Sequence, residues 1–150
     1  MSRWLIPLLG LLWGGIALAQ EQSFDPSRDA RKDIDAAVEA AGASGRHVLL
    51  DVGGEWCSWC KRLDRLFTDQ KELRAYRDSN YVTVKVNYSR EEPNTAVLSK
   101  FPKISGYPHL FVLDGKGKLL QSQETGVLEE GKGHSPAKVM EFLRKWAPKQ

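Results

Sequence analysis

The two cysteines of this 150-residue chain lie three positions apart in Glu55-Trp56-Cys57-Ser58-Trp59-Cys60-Lys61, and no other feature constrains the fold as much. An apolar run at 47–52 precedes them. Leu63, Leu66 and Phe67 recur behind them at helical spacing, so the pair sits where a strand turns into a helix. At a helix start, unpaired N–H groups and the positive end of the dipole favour a Cys57 thiolate. Cys60 follows one turn on along the same face, within disulfide reach.

Three chemistries use such a pair: thiol–disulfide exchange, a structural bridge, and half of a metal site. Closing so small a ring gains only about 2 kcal/mol of chain entropy, so a bridge kept for stability belongs across a longer loop. Zinc takes four ligands, and without a second CxxC the others must come from His47, His109, His134 or scattered carboxylates. Exchange therefore leads, needing no cofactor and no metal because the dithiol carries the electrons. A non-catalytic module holding Cu(I) between two thiolates is the rival from a different class.

The N-terminal stretch reads as an export leader. Arg3 supplies the positive end, residues 4–18 are apolar, and Ala17-Leu18-Ala19 is a small-x-small site that places the cut between Ala19 and Gln20. Pro7, Gly10, Gly14 and Gly15 interrupt a run already short for a bilayer, which argues against a retained anchor. The expected address is the periplasm or the exterior, with no stable membrane insertion after cleavage. Without Arg3, 21 basic residues stand against 19 acidic ones, interspersed along the chain, which is no electrostatic footprint for nucleic acid.

Beyond the leader, Asp25-Pro26 reads as a cap and first helical position, with Ile34, Ala37, Val38 and Ala41 forming one apolar face that Gly42 and Gly45 end. Residues 47–52 read as a central strand covered on both faces. Asp51 is the exception within it. Its carboxyl group is expected to be desolvated, raised in pKa and placed to exchange protons with the buried thiol, Cys60. Asp69 and Glu72 suggest a capping box for a second helix behind the CxxC helix.

Residues 81–87 are the next strand, with Lys85 opposite Val82, Val84 and Val86 and within reach of Asp51 if the two strands are neighbours. Glu92-Pro93 opens a short helix, and Pro108 starts a strand at 109–113. Asp114-Gly115-Lys116-Gly117 then turns the chain into a returning strand at 118–123. Residues 126–134 are glycine-rich and polar, which predicts a surface loop for Glu129, Glu130 and His134. Ser135-Pro136 caps a last helix with Val139, Phe142, Leu143 and Trp146 as its core stripe. Trp56 and Trp59 are positioned to shield the cysteine pair and shape access to it.

This order of elements resembles the thioredoxin fold from about 45 to 146, carried by Asp51, by Trp56-Cys57-Ser58-Trp59-Cys60-Lys61, by Lys85 and by Tyr107-Pro108. More narrowly, it is similar to exported bacterial thioredoxin-like proteins with a Trp-Cys-x-Trp-Cys centre. The resemblance implies an α/β fold: a central mixed sheet with a C-terminal β-hairpin, flanked by helices on both faces. It divides the chain into a leader at 1–19, an N-terminal segment and helix at 20–44, and a thioredoxin-like domain at 45–150.

It also implies Cys57 as the exposed nucleophile, Cys60 as the resolving thiol, Asp51 as the buried acid and Lys85 as its partner. Pro108 would be a cis-proline against the disulfide, and Tyr107 would offer backbone groups to an extended, cysteine-containing protein substrate. The activity implied is a thiol–disulfide oxidoreductase that reduces or isomerises protein disulfides, fed by a membrane thiol electron donor; net oxidation is the alternative direction. Ser58-Trp59 stands where thioredoxin has Gly-Pro, and the direction turns on that difference.

Overall fold

The computed structural model describes residues 24–150; the expected leader and its expected cleavage site lie outside them. Strand β1 (His47–Gly53) is the centre of the sheet. It pairs in parallel with β2 (Tyr81–Asn87) and antiparallel with β3 (His109–Leu113), and β4 (Leu119–Glu124) closes the order β2-β1-β3-β4. An interior strand flanked by helices on both faces has no solvent side, which is why 47–52 shows no alternation.

Val48, Leu50 and Val52 pack under α1 (Ala30–Ser44), against its Ile34, Ala37 and Ala41. Leu49 points the other way. There, α2 (Ser58–Asp69), α3 (Lys71–Asn80) and α5 (Pro136–Trp146) bring Leu63, Phe67, Leu73, Phe142 and Leu143 onto Leu110 and Val112. Tyr81 ties the sheet to α5, donating its hydroxyl to the Leu143 carbonyl at 2.7 Å. Among the described residues, no helix is long and apolar enough to cross a membrane.

Several local expectations are corrected. Helix α1 begins at Ala30 behind Asp29, whose carboxylate accepts the Lys32 N–H at 3.1 Å. Asp25 cannot cap it, because its own carboxylate closes a turn on the Ser27 N–H and hydroxyl. Gly42 lies inside the helix, and the end is Gly45, at φ 67°, donating to the Ala41 carbonyl. Asp69 is still helical at the end of α2, so the extended junction residue is Gln70 and no capping box forms. Short helix α4 (Thr95–Leu98) follows Asn94, while the Glu92 carboxylate serves the loop by accepting the Asn94 N–H.

The glycine-rich stretch before α5 is more ordered than a surface loop. A 3-10 turn, Thr125–Leu128, leads into a small hairpin of β5 (Glu129–Glu130) and β6 (Gly133–His134). His134 is buried at its end. Ser135 caps α5 on the Lys138 N–H, with Pro136 at the first position as its sequence suggests.

Gly42 marks where α1 meets the β3–β4 turn: a Cβ there would stand 2.8 Å from the Gly115 carbonyl oxygen. Gly42→Ala gains at most about 1 kcal/mol of helix propensity, against about 1–3 kcal/mol for overpacking onto backbone. The variant is expected to lower the urea midpoint with an unchanged m-value; an equal or higher midpoint would show that α1 yields freely at this contact.

Candidate active site

Cys57 is the N-cap of α2, in extended conformation, and its Sγ accepts the Cys60 N–H at 3.1 Å. That bond, with the helix dipole behind it, is what favours negative charge on this sulfur. The two cysteines form a disulfide with Cα atoms 5.2 Å apart. Cys57 is 5% exposed and Cys60 1%, so the expected contrast between an exposed and a buried cysteine is narrow in the joined state. The reason is that Cys57 Sγ is turned onto the helix terminus. Gly53 makes room for the bridge: a Cβ there would collide with Cys60 Sγ and reach 3.0 Å from Phe24 Cζ.

Parallel pairing sets Asp51 opposite Lys85, and both are buried. Lys85 Nζ donates to Asp51 Oδ2 at 3.3 Å and also to Asp64 of α2. Burial pushes the Asp51 carboxyl above its ordinary range, with the attraction of Lys85, Arg77 and His134 only partly opposing it. Burial pulls the Lys85 ammonium down, but Asp51 and Asp64 together outweigh it, so its net shift is upward and it stays charged. Asp51 Oδ1 is buried without a hydrogen-bond partner among the described residues.

On the outer side, Trp56 is 58% exposed, and its indole N–H donates to the Tyr88 carbonyl at 2.7 Å. Tyr107 meets Trp56 edge-on at 5.7 Å and stacks on Tyr88 at 4.6 Å. The Tyr107–Pro108 bond is cis, and the Thr125 hydroxyl holds the Pro108 carbonyl at 2.6 Å. Past Tyr88 and Tyr107 runs an open groove of about 380 Å³ over Leu98, Phe101 and Ile104. Trp59 is held between the Arg62 guanidinium, 4.4 Å from its ring, and the edge of His134 at 5.5 Å.

Of the eight residues singled out from sequence, Asp51 and Lys85 form one buried pair, Trp56 and Tyr107 share an aromatic cluster with Tyr88, and Trp59 and Tyr107 pack against the Cys57–Cys60 centre, with Pro108 joined to Tyr107 by the cis bond. Four others belong to the site. Asp64 was assignable to the charged face of α2, yet it stands four residues after Cys60, one turn along that cysteine's face. Tyr88 directly follows β2 on the Cys57 side of the sheet. Phe24 carries no sequence signal, and His134 reads from sequence only as a candidate metal ligand in a surface loop, because each arrives from a segment without periodicity.

The family model described as thioredoxin-like matches residues 29–115. Among curated proteins, a thiol:disulfide interchange protein DsbD of Ralstonia nicotianae is 34% identical over 86 residues, 57% of this chain and 14% of that protein. The DsbD of Escherichia coli K12 is 27% identical over 128 residues, 82% of this chain and 22% of that protein. The chain therefore spans less than a quarter of the length of these relatives.

Among solved structures, a disulphide isomerase from Xylella fastidiosa Temecula1 superposes with TM-score 0.72 at 24% identity, covering 85% of this chain and 98% of that one. The oxidised C-terminal domain of Neisseria meningitidis DsbD gives 0.59 at 19% identity, covering 83% and 99%. At these identities the two likenesses bear on the fold.

A carboxyl raised by burial makes stability fall as pH rises, because between its ordinary value of 3.8 and its folded value the native state holds a proton that the unfolded chain has lost. The stability of Asp51→Asn relative to the parent should therefore be more favourable at pH 8 than at pH 4. Urea midpoints at pH 4 and pH 8 check this; an equal difference at both would rule out an elevated Asp51.

Proposed function

The chain belongs to the thioredoxin-like family, and we propose that it works as an exported thiol–disulfide oxidoreductase that reduces or isomerises disulfides in cysteine-containing proteins. The observation that carries this reading is the Cys57–Cys60 disulfide at the α2 N-terminus, linked through the Phe24 ring to the buried Asp51–Lys85 pair. Cys57 has the features of an attacking and leaving group, its sulfur at a helix N-terminus with the Cys60 N–H donating to it, and Cys60 is buried against Phe24, whose ring also meets Lys85.

In the reduced protein, the Cys57 thiolate attacks one sulfur of a substrate disulfide. A Cys57–substrate bond forms, the substrate bond breaks, and the first substrate thiolate leaves and takes a proton. Cys60 then gives its proton to the Asp51 carboxylate, and its thiolate attacks Cys57 Sγ. The second substrate thiolate departs and the Cys57–Cys60 disulfide remains, two electrons having passed to substrate. Lys85, held charged by Asp51 and Asp64, keeps Asp51 able to ionise within an apolar layer. Isomerisation is the same first attack, followed by another substrate thiol instead of Cys60.

Substrate lies along the rim formed by Trp56, Tyr107 and Pro108, pairing its backbone with that of Tyr107 as an added strand. Such pairing reads any extended segment. Trp59 covers the opposite side of the bridge. Restoring the dithiol takes two electrons from outside the chain, and a membrane thiol relay is the donor class suited to an exported protein. The leader-like pattern of residues 1–19, a basic start, an apolar run and Ala17-Leu18-Ala19, supports that address.

Cys57→Ala is expected to reduce turnover of a small disulfide substrate to background, and Cys60→Ala to accumulate a mixed disulfide through Cys57; a fully active Cys57→Ala chain would overturn the assignment. The pair's potential, equilibrated against dithiothreitol buffers, should lie toward the thioredoxin value of about −270 mV and away from about −120 mV, a span of about 7 kcal/mol. A value at the latter end would reverse the direction to net oxidation.

A further inference from the structure

Phe24 precedes the first helix and lies outside the stretch matched by the family model, yet its side chain is within the redox centre. It is 3% exposed and packs with Cys57 and Cys60. The face of its ring stands 4.3 Å from Lys85 Nζ, and the ring edge fills the space left by the missing Gly53 Cβ beside Cys60 Sγ. Its backbone N–H donates to Glu55 Oε1 at 3.1 Å, pinning the segment to the loop that leads into Cys57. One apolar ring therefore touches the resolving cysteine, the buried ammonium and the backbone of β1.

We propose that Phe24 is a positioning residue of the dithiol centre, a plug whose ring keeps water away from Cys60 and the Asp51–Lys85 pair. The inference rests on reading Cys57 and Cys60 as an exchange centre. The plug acts through Asp51. A carboxyl group stays protonated above its ordinary range only where water cannot solvate its charge, and a ring removed from beside its partner admits that water.

Loosening Lys85 would act in the opposite sense, by weakening an attraction that favours the carboxylate. Burial is the leading influence on Asp51 and raises its carboxyl, so water admitted beside the pair acts against that influence and the proton is held less tightly. The other ionisable groups bearing on the pair are Asp64 from α2, Arg77 from α3 and His134 from β6, and Cys60 from α2 packs against Phe24 itself.

The test is a carbon NMR titration of the Asp51 carboxyl in the reduced full chain, comparing Phe24 with Phe24→Leu, Phe24→Val and Phe24→Ala. The midpoints should fall in that order, with Ala holding the proton about tenfold more weakly than the parent. A plain packing role would lower the melting temperature and leave the titration unmoved. Curves that superimpose across the series overturn the proposal, and if the Ala chain does not fold, the Val chain decides in the same way. The titration needs no turnover. A chain inert toward disulfides but graded in its titration would keep the plug and lose the function, and an active chain with superimposed curves would do the reverse.

Discussion

The pairing of Asp51 with Lys85 across β1 and β2 is the constraint on which the rest of the arrangement hangs. Two ions within an apolar layer are tolerated only in contact, and contact requires the strands to be neighbours, parallel, and in the register His47↔Tyr81 through Gly53↔Asn87. A slip of one residue would turn Lys85 into the α1 side of the sheet and put Val84 or Val86 against the carboxylate. Wrong registers are thereby disfavoured by far more than a mismatch of valines would cost. Asp64 adds a third charge from α2, so the pair also fixes the helix that carries the cysteines.

That coupling explains why so much of the layout was legible in the sequence. Strand β2, strand β3 and helix α5 follow directly from alternation, from Pro108 and from Ser135-Pro136, all local signals that tertiary structure did not override. The unalternating run before Cys57 announced a central strand because burial on two faces removes the polar positions. Cap positions were less legible, since Asp25, Asp29 and Asp69 are chemically equivalent. Only the completed turn shows which carboxylate is free to accept a helix N–H. Phe24 and His134 were unreadable for a stronger reason: their neighbours Cys60 and Trp59 are far away in sequence, and no period links them.

The two sulfurs occupy contrasting surroundings produced by one short segment. Cys57, as N-cap, faces the helix terminus and receives a backbone N–H, which stabilises its anion without any side-chain charge. Cys60, three residues on, faces inward to Gly53 and Phe24, where an anion has no such support. The spacing of three residues creates this difference, because one helical turn carries a side chain from the terminus into the core layer.

Such a centre conflicts with stability, and the fold absorbs the conflict through the order of its layers. Asp51 and Lys85 sit on the same sheet face as Leu49 and Leu110, between α2 and the strands, where apolar contact would be more favourable than ions. The opposite face carries no such charge; Val48, Leu50, Val52, Val84 and Phe111 form a continuous apolar surface under α1. Because successive residues of β1 alternate between the two, each charge on the α2 side is flanked along the strand by valine or leucine on the other side. The strand holding the buried acid is thus anchored on its other face by apolar neighbours that carry no charge.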